Sequence, residues 1–159
     1  MATIEEAIAQ NIEDFIDITS QMEMACNYYK IEMNASPLYN FRDALSHYIL
    51  CYEATTNEEK KAQEVSITEH LFRGTKDTYV RILYEIKQRV STILRKTNNR
   101  EQQQKFRRLL HGYKKLELEI RKNTESTVIR TLTPFITMLN DLIEETKIIF
   151  EQYGLSLID

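Results

Sequence analysis

Residues 65–96 read VSITEHLFRGTKDTYVRILYEIKQRVSTILRK, and this stretch decides the fold. Val65, Phe72, Tyr79, Ile86 and Ile93 recur every seven residues, with Leu83 and Val90 filling the seam. A seven-residue apolar repeat of this kind marks a long helix packed against neighbouring helices. Just upstream, Thr56 followed by Glu59 forms a capping box, so the helix is expected from there to about Lys96. Gly74 is expected to mark a close helix crossing or a small break.

The flanking segments extend the same reading. Thr3 and Glu6 form another capping box, and Ile4, Ile8, Ile12, Phe15, Met22 and Tyr29 follow at helical spacing, out to about Met33. Ser36 is a good N-cap with Pro37 in the first turn, which predicts a second helix from Pro37 to about Ala54. Asn98 or Asn99 caps a fourth helix over roughly 100–122. A fifth is expected from about Ser126 to Tyr153, closed by Gly154 and kinked or divided by Pro134. The expectation is a single all-α domain over 1–159, an up-and-down bundle of about five helices with no strand.

Composition excludes several functions. Forty-two per cent of residues are hydrophobic and 28 % charged, as in an ordinary globular domain. The three glycines stand apart, so a phosphate-cradling loop or dinucleotide-binding turn is not available. No apolar run reaches the roughly 18 residues that span a bilayer, and the N-terminus does not read as a signal peptide. No membrane association is therefore expected. Cys26 and Cys51 read as free buried thiols in a reducing cytoplasm. The spacings typical of metal-binding bundles are missing, and no metal or other cofactor is expected.

Charge is segregated along the chain. Residues 73–122 hold fifteen Lys or Arg against five Asp or Glu, whereas residues 1–72 hold four against thirteen. The densest basic run is RKTNNREQQQKFRRLLHGYKK, residues 95–115. Its cations Arg95, Lys96, Arg100, Lys105, Arg107 and Arg108 are candidates for binding RNA phosphates. The same face would also complement the acidic helices of its own bundle.

The second helix carries the candidate chemistry in RDALSH, residues 42–47. On a wheel of 100° per residue, Leu38, Phe41, Leu45, Tyr48, Ile49 and Tyr52 fall within about 100° of arc, the expected core face. His47 lies roughly 145° from its centre, and Arg42 about 75° off. His47 is thus expected to point away from the core, on the side of Asp43, Leu50 and Ala54. Tyr48 and Tyr52 are expected inside, out of reach of a nucleic-acid base. An arginine can clamp a phosphate, and a histidine can move a proton at neutral pH. Arg42 and His47 lie about 140° apart around one helix, so two copies across a symmetric groove would bring them to one substrate more easily than one copy alone. Glu69, His70 and Arg73, in EHLFRG, could line a cleft with His47. Arg107 stands four before His111, which reads as part of the basic face.

Arg, then Asp, then three residues and His, on a helix of a small all-α bundle, resembles the HEPN superfamily (higher eukaryotes and prokaryotes nucleotide-binding). The resemblance rests on Arg42, Asp43 and His47 and on the general architecture. It implies a dimeric, metal-independent endoribonuclease of a toxin–antitoxin, phage-defence or RNA-processing system. Arg42 would hold the scissile phosphate, His47 would act as acid or base, and Asp43 would orient them. The implied partners are RNA, a second copy of the chain, and a protein antitoxin or regulatory partner. Two other functions fit the same residues. One is a non-catalytic helical interaction module of the same fold, with Arg42, Asp43 and His47 in an interface. The other is a nucleic-acid binder that works through the basic hairpin alone.

Overall fold

A computed structural model describes residues 1–123 and 129–158. Five helices account for most of them: α1 (Ile4–Tyr29), α2 (Ser36–Glu53), α3 (Asn57–Lys96), α4 (Arg100–Lys122) and α5 (Thr133–Gln152). A short 3-10 turn over Ile129–Leu132 leads into α5, and no strand occurs among the described residues. The protein is an all-α helical bundle. The expected fifth-helix start at Ser126 lies outside the described residues.

The caps explain the boundaries. Thr3 with Glu6, and Thr56 with Glu59, form complete reciprocal capping boxes. Asn99 accepts from the Gln102 amide to start α4. Gly154 closes α5 at φ +65°, and the amide of Leu155 reaches back to the carbonyl of Phe150 at 2.9 Å. Two ends differ from expectation. The first helix stops at Tyr29, because Lys30 takes a left-handed conformation and the Ile31 amide bonds the Cys26 carbonyl. Ser36 does not cap α2; its hydroxyl donates instead to Asp77 at 2.7 Å.

α3 is the spine, about 60 Å long at 1.5 Å per residue. Asn11 bonds Thr68 and Arg89 bonds Tyr29, so α1 runs parallel to α3. Ser36 with Asp77, and Cys51 with the Lys60 carbonyl, set α2 antiparallel along the first half of α3. Lys76 with Asn123, and Lys87 with Glu117, set α4 antiparallel along the second half. α5 pairs with α4 through Tyr113, whose hydroxyl meets Thr146 at 2.7 Å while Thr146 donates to the Leu142 carbonyl. The core is continuous from Ile8 and Phe15 through Tyr79 and Ile86 to Phe106 and Phe150. Arg89 joins the end of α1 to the segment after α5, donating to the carbonyls of Tyr29, Lys30 and Leu157.

The heptad seam of α3 is buried at Phe72, Tyr79, Leu83, Ile86 and Val90. Val65 is exposed, and Ile67 and Leu71 take the core in its place. The seam shifts here because α1 and α2 flank the first half of α3, whereas α1, α4 and α5 surround the second.

The largest departure concerns α2. Leu38, Leu45, Tyr48, Ile49 and Tyr52, the expected core face, are exposed, Tyr52 by 84 %. Only Phe41 of that face is partly covered, stacked on Phe15 at 5.6 Å between ring centroids. The buried residues are Pro37, Ala44 and Cys51, a small-residue line repeating every seven positions. α2 is therefore turned by roughly 90° from the orientation its apolar pattern favours. The cause is close approach to α3. A Cβ placed on Gly74 would stand 3.1 Å from Asn40 Cβ and 3.2 Å from Pro37 Cα. Gly74 thus marks a close crossing, and α3 does not break there.

A bulky side chain at this crossing should lift α2 off α3. Gly74→Leu is expected to cost about 1–3 kcal/mol, as overpacked core sites do. At roughly 2–4 °C per kcal/mol for a chain of this size, thermal melting should fall by several degrees. An unchanged melting temperature would show that the two helices have room to separate.

Candidate functional site

Turning α2 on its axis carries His47 into the α2–α3 interface. The expectation that it points away from the bundle is corrected by the structure. His47 stacks on His70 of α3, with ring centroids 5.3 Å apart and planes 24° from parallel. His47 Nδ1 lies 2.8 Å from Gln63 Oε1, and His70 Nδ1 lies 3.2 Å from Asn40 Oδ1. The Asn40 amide is oriented independently, because its nitrogen donates to the Ser36 carbonyl at 2.9 Å. Its oxygen must therefore face His70, and His70 must carry its proton on Nδ1 to donate. With its proton on Nδ1, His47 donates to the Gln63 oxygen in the same way. Neither Nε2 atom has a hydrogen-bond partner among the described residues.

The arrangement has a near-twofold pattern. Asn40 precedes His47 by seven residues on α2, and Gln63 precedes His70 by seven on α3. Seven residues are almost two turns, so each amide shares a face with its histidine. Because the helices are antiparallel, each amide meets the other helix's histidine. Asn40 and Gln63 were not singled out in the sequence. Their signal was there, as a polar residue one heptad ahead of each histidine.

Burial holds the His70 pKa below its usual value of 6.5, and the neighbouring His47 lowers it further. Asp43, Glu69 and Arg73 also act on it, the two carboxylates opposing the shift. Asp43 has its own pKa lowered, first by the hydrogen bond from Arg42 and then by nearby positive charge. Arg42 donates Nε and Nη2 to Asp43 Oδ1 at 3.0 and 2.8 Å. Its guanidinium lies over the Tyr39 ring and is 68 % exposed.

The sequence-predicted residues thus divide. His47 and His70 come together, with Asp43 and Glu69 close enough to influence His70. Arg42 sits on the outer side of α2, away from the α3-facing side that His47 occupies. Arg73 lies one turn beyond His70, in a separate cleft. Arg95, Lys96, Arg100, Arg107 and Arg108 are exposed with no ion-pair partner among the described residues. Lys105 is paired with Glu101 and lies over Tyr153. Some 25 residues of α3 separate His70 from Arg95, roughly 40 Å along the axis. The basic run does not flank the histidine pair.

Tyr48 and Tyr52, expected inside, are on the surface. They belong to an apolar stripe with Leu38, Leu45 and Ile49, spaced at 38, 45, 52 and 48 as in a two-helix seam. Among the described residues, no cluster of three or more His, Cys, Asp or Glu is placed to hold a metal ion. None of the described helices is long and apolar enough to cross a membrane. Cys26 and Cys51 are buried and unpaired, and burial raises the pKa of both thiols. Comparison with family models, curated proteins and solved structures finds no match to this chain.

The depressed His70 pKa has a direct consequence for stability. The unfolded chain takes up a proton near pH 6.5, and folded His70 resists it until lower pH. Stability is therefore full above pH 6.5 and declines as pH falls below it. Between pH 6.5 and about 5, before carboxylates titrate, melting temperature should fall for the parent and fall less for His70→Gln. Equal slopes in the two proteins would place the pH dependence elsewhere.

Proposed function

We propose that the protein is a dimeric, metal-independent endoribonuclease of the HEPN-like kind, acting through the α2–α3 histidine pair. The observation that carries this reading is the stacking of His47 on His70 with both Nδ1 atoms anchored to amide oxygens. Two imidazoles 5.3 Å apart disfavour a double positive charge. One proton shared between two free Nε2 atoms is what acid–base cleavage of RNA needs. His70, whose protonation is disfavoured, takes the proton from a ribose 2′-hydroxyl, and that oxygen attacks the adjacent phosphorus. His47 delivers a proton to the departing 5′-oxygen. The products are a 2′,3′-cyclic phosphate and a free 5′-hydroxyl.

In this reading Arg42 acts across a dimer. It is exposed at the edge of the Leu38, Leu45, Tyr48, Ile49 and Tyr52 stripe, on the face that a second α2 would cover. Contiguous apolar surface of this kind marks an association site. Joining two stripes would set the Arg42 residues of both copies along the edges of one seam, where they hold phosphates of an RNA lying across it. Asp43 holds the guanidinium in place. A toxin or phage-defence setting, with a protein antitoxin or other regulator, fits such an activity.

The exposed stripe also favours a second reading, a non-catalytic module that only dimerises or binds a protein partner. An RNA-cleavage assay with EDTA present separates the two. The parent should cleave and leave cyclic phosphate ends. His47→Ala, matched in fold by circular dichroism, should lose activity by about 100-fold or more, as removal of a general acid or base does. Equal cleavage by both proteins would sink the histidine mechanism.

The dimer has its own test. Light scattering should give twice the chain mass for the parent, and the monomer mass for Leu45→Asp or Ile49→Asp. A monomeric parent at tens of micromolar would remove the stripe from the mechanism.

A further inference from the structure

Beyond His70, the same face of α3 runs into a second cleft of about 640 Å³. Asn34, Arg73, Lys76, Arg81, Tyr84 and Arg121 line it, bringing together the α1–α2 connection, mid-α3 and the end of α4. Four cations meet here among the described residues: Arg81 Nη2 is paired with Glu85 at 2.9 Å, Lys76 donates to the Asn123 carbonyl, and Asp77, the described lining carboxylate, accepts a hydrogen bond from Ser36. Arg73 is exposed and makes no ion pair among the described residues. Arg121 is 58 % exposed, with Nε and Nη2 on Glu117 and no bond from its other guanidinium nitrogen among the described residues.

The cleft also concentrates unmet hydrogen bonding. Three buried side-chain polar atoms lack a partner among the described residues, and two of them, Arg81 Nε and Asn34 Oδ1, belong to residues of this cleft. A buried donor on a cation needs an oxygen acceptor, which an anion supplies. A buried amide oxygen needs a donor, which a hydroxyl supplies. A phosphate joined to a sugar hydroxyl provides both.

We propose that this cleft binds a ribose-phosphate unit of single-stranded RNA. Arg73, Arg81 and Arg121 hold the phosphate, and Asn34 accepts from the ribose 2′-hydroxyl. Val80 and Tyr84 give the cleft an apolar wall for the base. Arg73 is three residues from His70 on α3, so a strand seated here passes directly to the histidine pair. The inference deepens the ribonuclease reading by naming the track that delivers its substrate. It takes from that reading the identity of the ligand as RNA.

Fluorescence anisotropy with a short labelled single-stranded RNA tests it. Folding of each variant is matched by circular dichroism. Arg73→Gln with Arg121→Gln should weaken binding about tenfold or more. It should also flatten the dependence of log affinity on log salt, by about 0.7 for each phosphate no longer neutralised. Arg107→Gln with Arg108→Gln should weaken binding less than the cleft pair does. Asn34→Ala should weaken RNA but not the matching DNA. Inorganic phosphate alone should compete poorly; competition as effective per phosphate as the RNA would mean a free-anion site and overturn the assignment. Absence of binding by the parent, or loss of binding only in the Arg107 and Arg108 variant, would also overturn it. Equal weakening of RNA and DNA by Asn34→Ala would remove the ribose contact. His47→Ala should bind like the parent, so cleft-dependent binding without any cleavage would sink the nuclease mechanism and leave the cleft standing.

Discussion

Gly74 has no side chain, and Pro37 and Asn40 lie where one would go. That close approach governs how α2 is oriented, and the orientation governs the candidate site. A helix that comes this near another must present small groups to it, and Pro37, Ala44 and Cys51 are the ones α2 offers. Once they face α3, the remaining directions around α2 are fixed by helical geometry. Asn40 and His47 are carried to one rim of the contact, where α3 answers with His70 and Gln63. The larger apolar residues are carried to the open side. Burying them would return about 25 cal/mol per Å² of apolar surface, so their exposure has a cost that association with another surface would offset.

The sequence showed the helices far better than their rotation. Helix ends were legible because capping is local: Thr3 with Glu6, Thr56 with Glu59, Asn99 and Gly154 act on residues within one turn. Ser36 misled because an acceptor for its hydroxyl, Asp77, stands 41 residues away. The wheel for α2 found a true apolar arc but assumed that the arc faces the chain's own core. α2 has two faces suited to contact, one small and one large, and hydropathy ranks only the second. His47 was consequently placed on the wrong side, and Tyr48 and Tyr52 with it. The pairing of His47 with His70 depends on antiparallel register between two helices, which no single-helix pattern contains.

Charge segregation follows a similar logic. The basic middle of the chain was plain in the sequence, but its distribution over three dimensions was not. Part of it is neutralised at home, where Lys87 and Arg121 converge on Glu117 and hold its carboxyl pKa down. Another part, at the junction of α3 and α4, stands far along the bundle from the histidines. The cations of the cleft beyond His70 come from mid-α3 and the end of α4, which the antiparallel hairpin folds together. Proximity in the basic run was thus a poor guide to proximity in space, as a 40-residue helix makes inevitable.

The Arg89 guanidinium carries a consequence of another kind. It joins the last carbonyls of α1 to that of Leu157, stretches separated by more than a hundred residues of chain, and does so from about two turns before the end of the spine. Each carbonyl would otherwise need water or a cap of its own. Fraying at the end of α1 therefore leaves Leu157 with a weakened anchor, and release of the tail leaves the end of α1 less well satisfied. One side chain makes two distant margins open together, so the bundle has a built-in cooperativity that its helices, taken one at a time, do not possess.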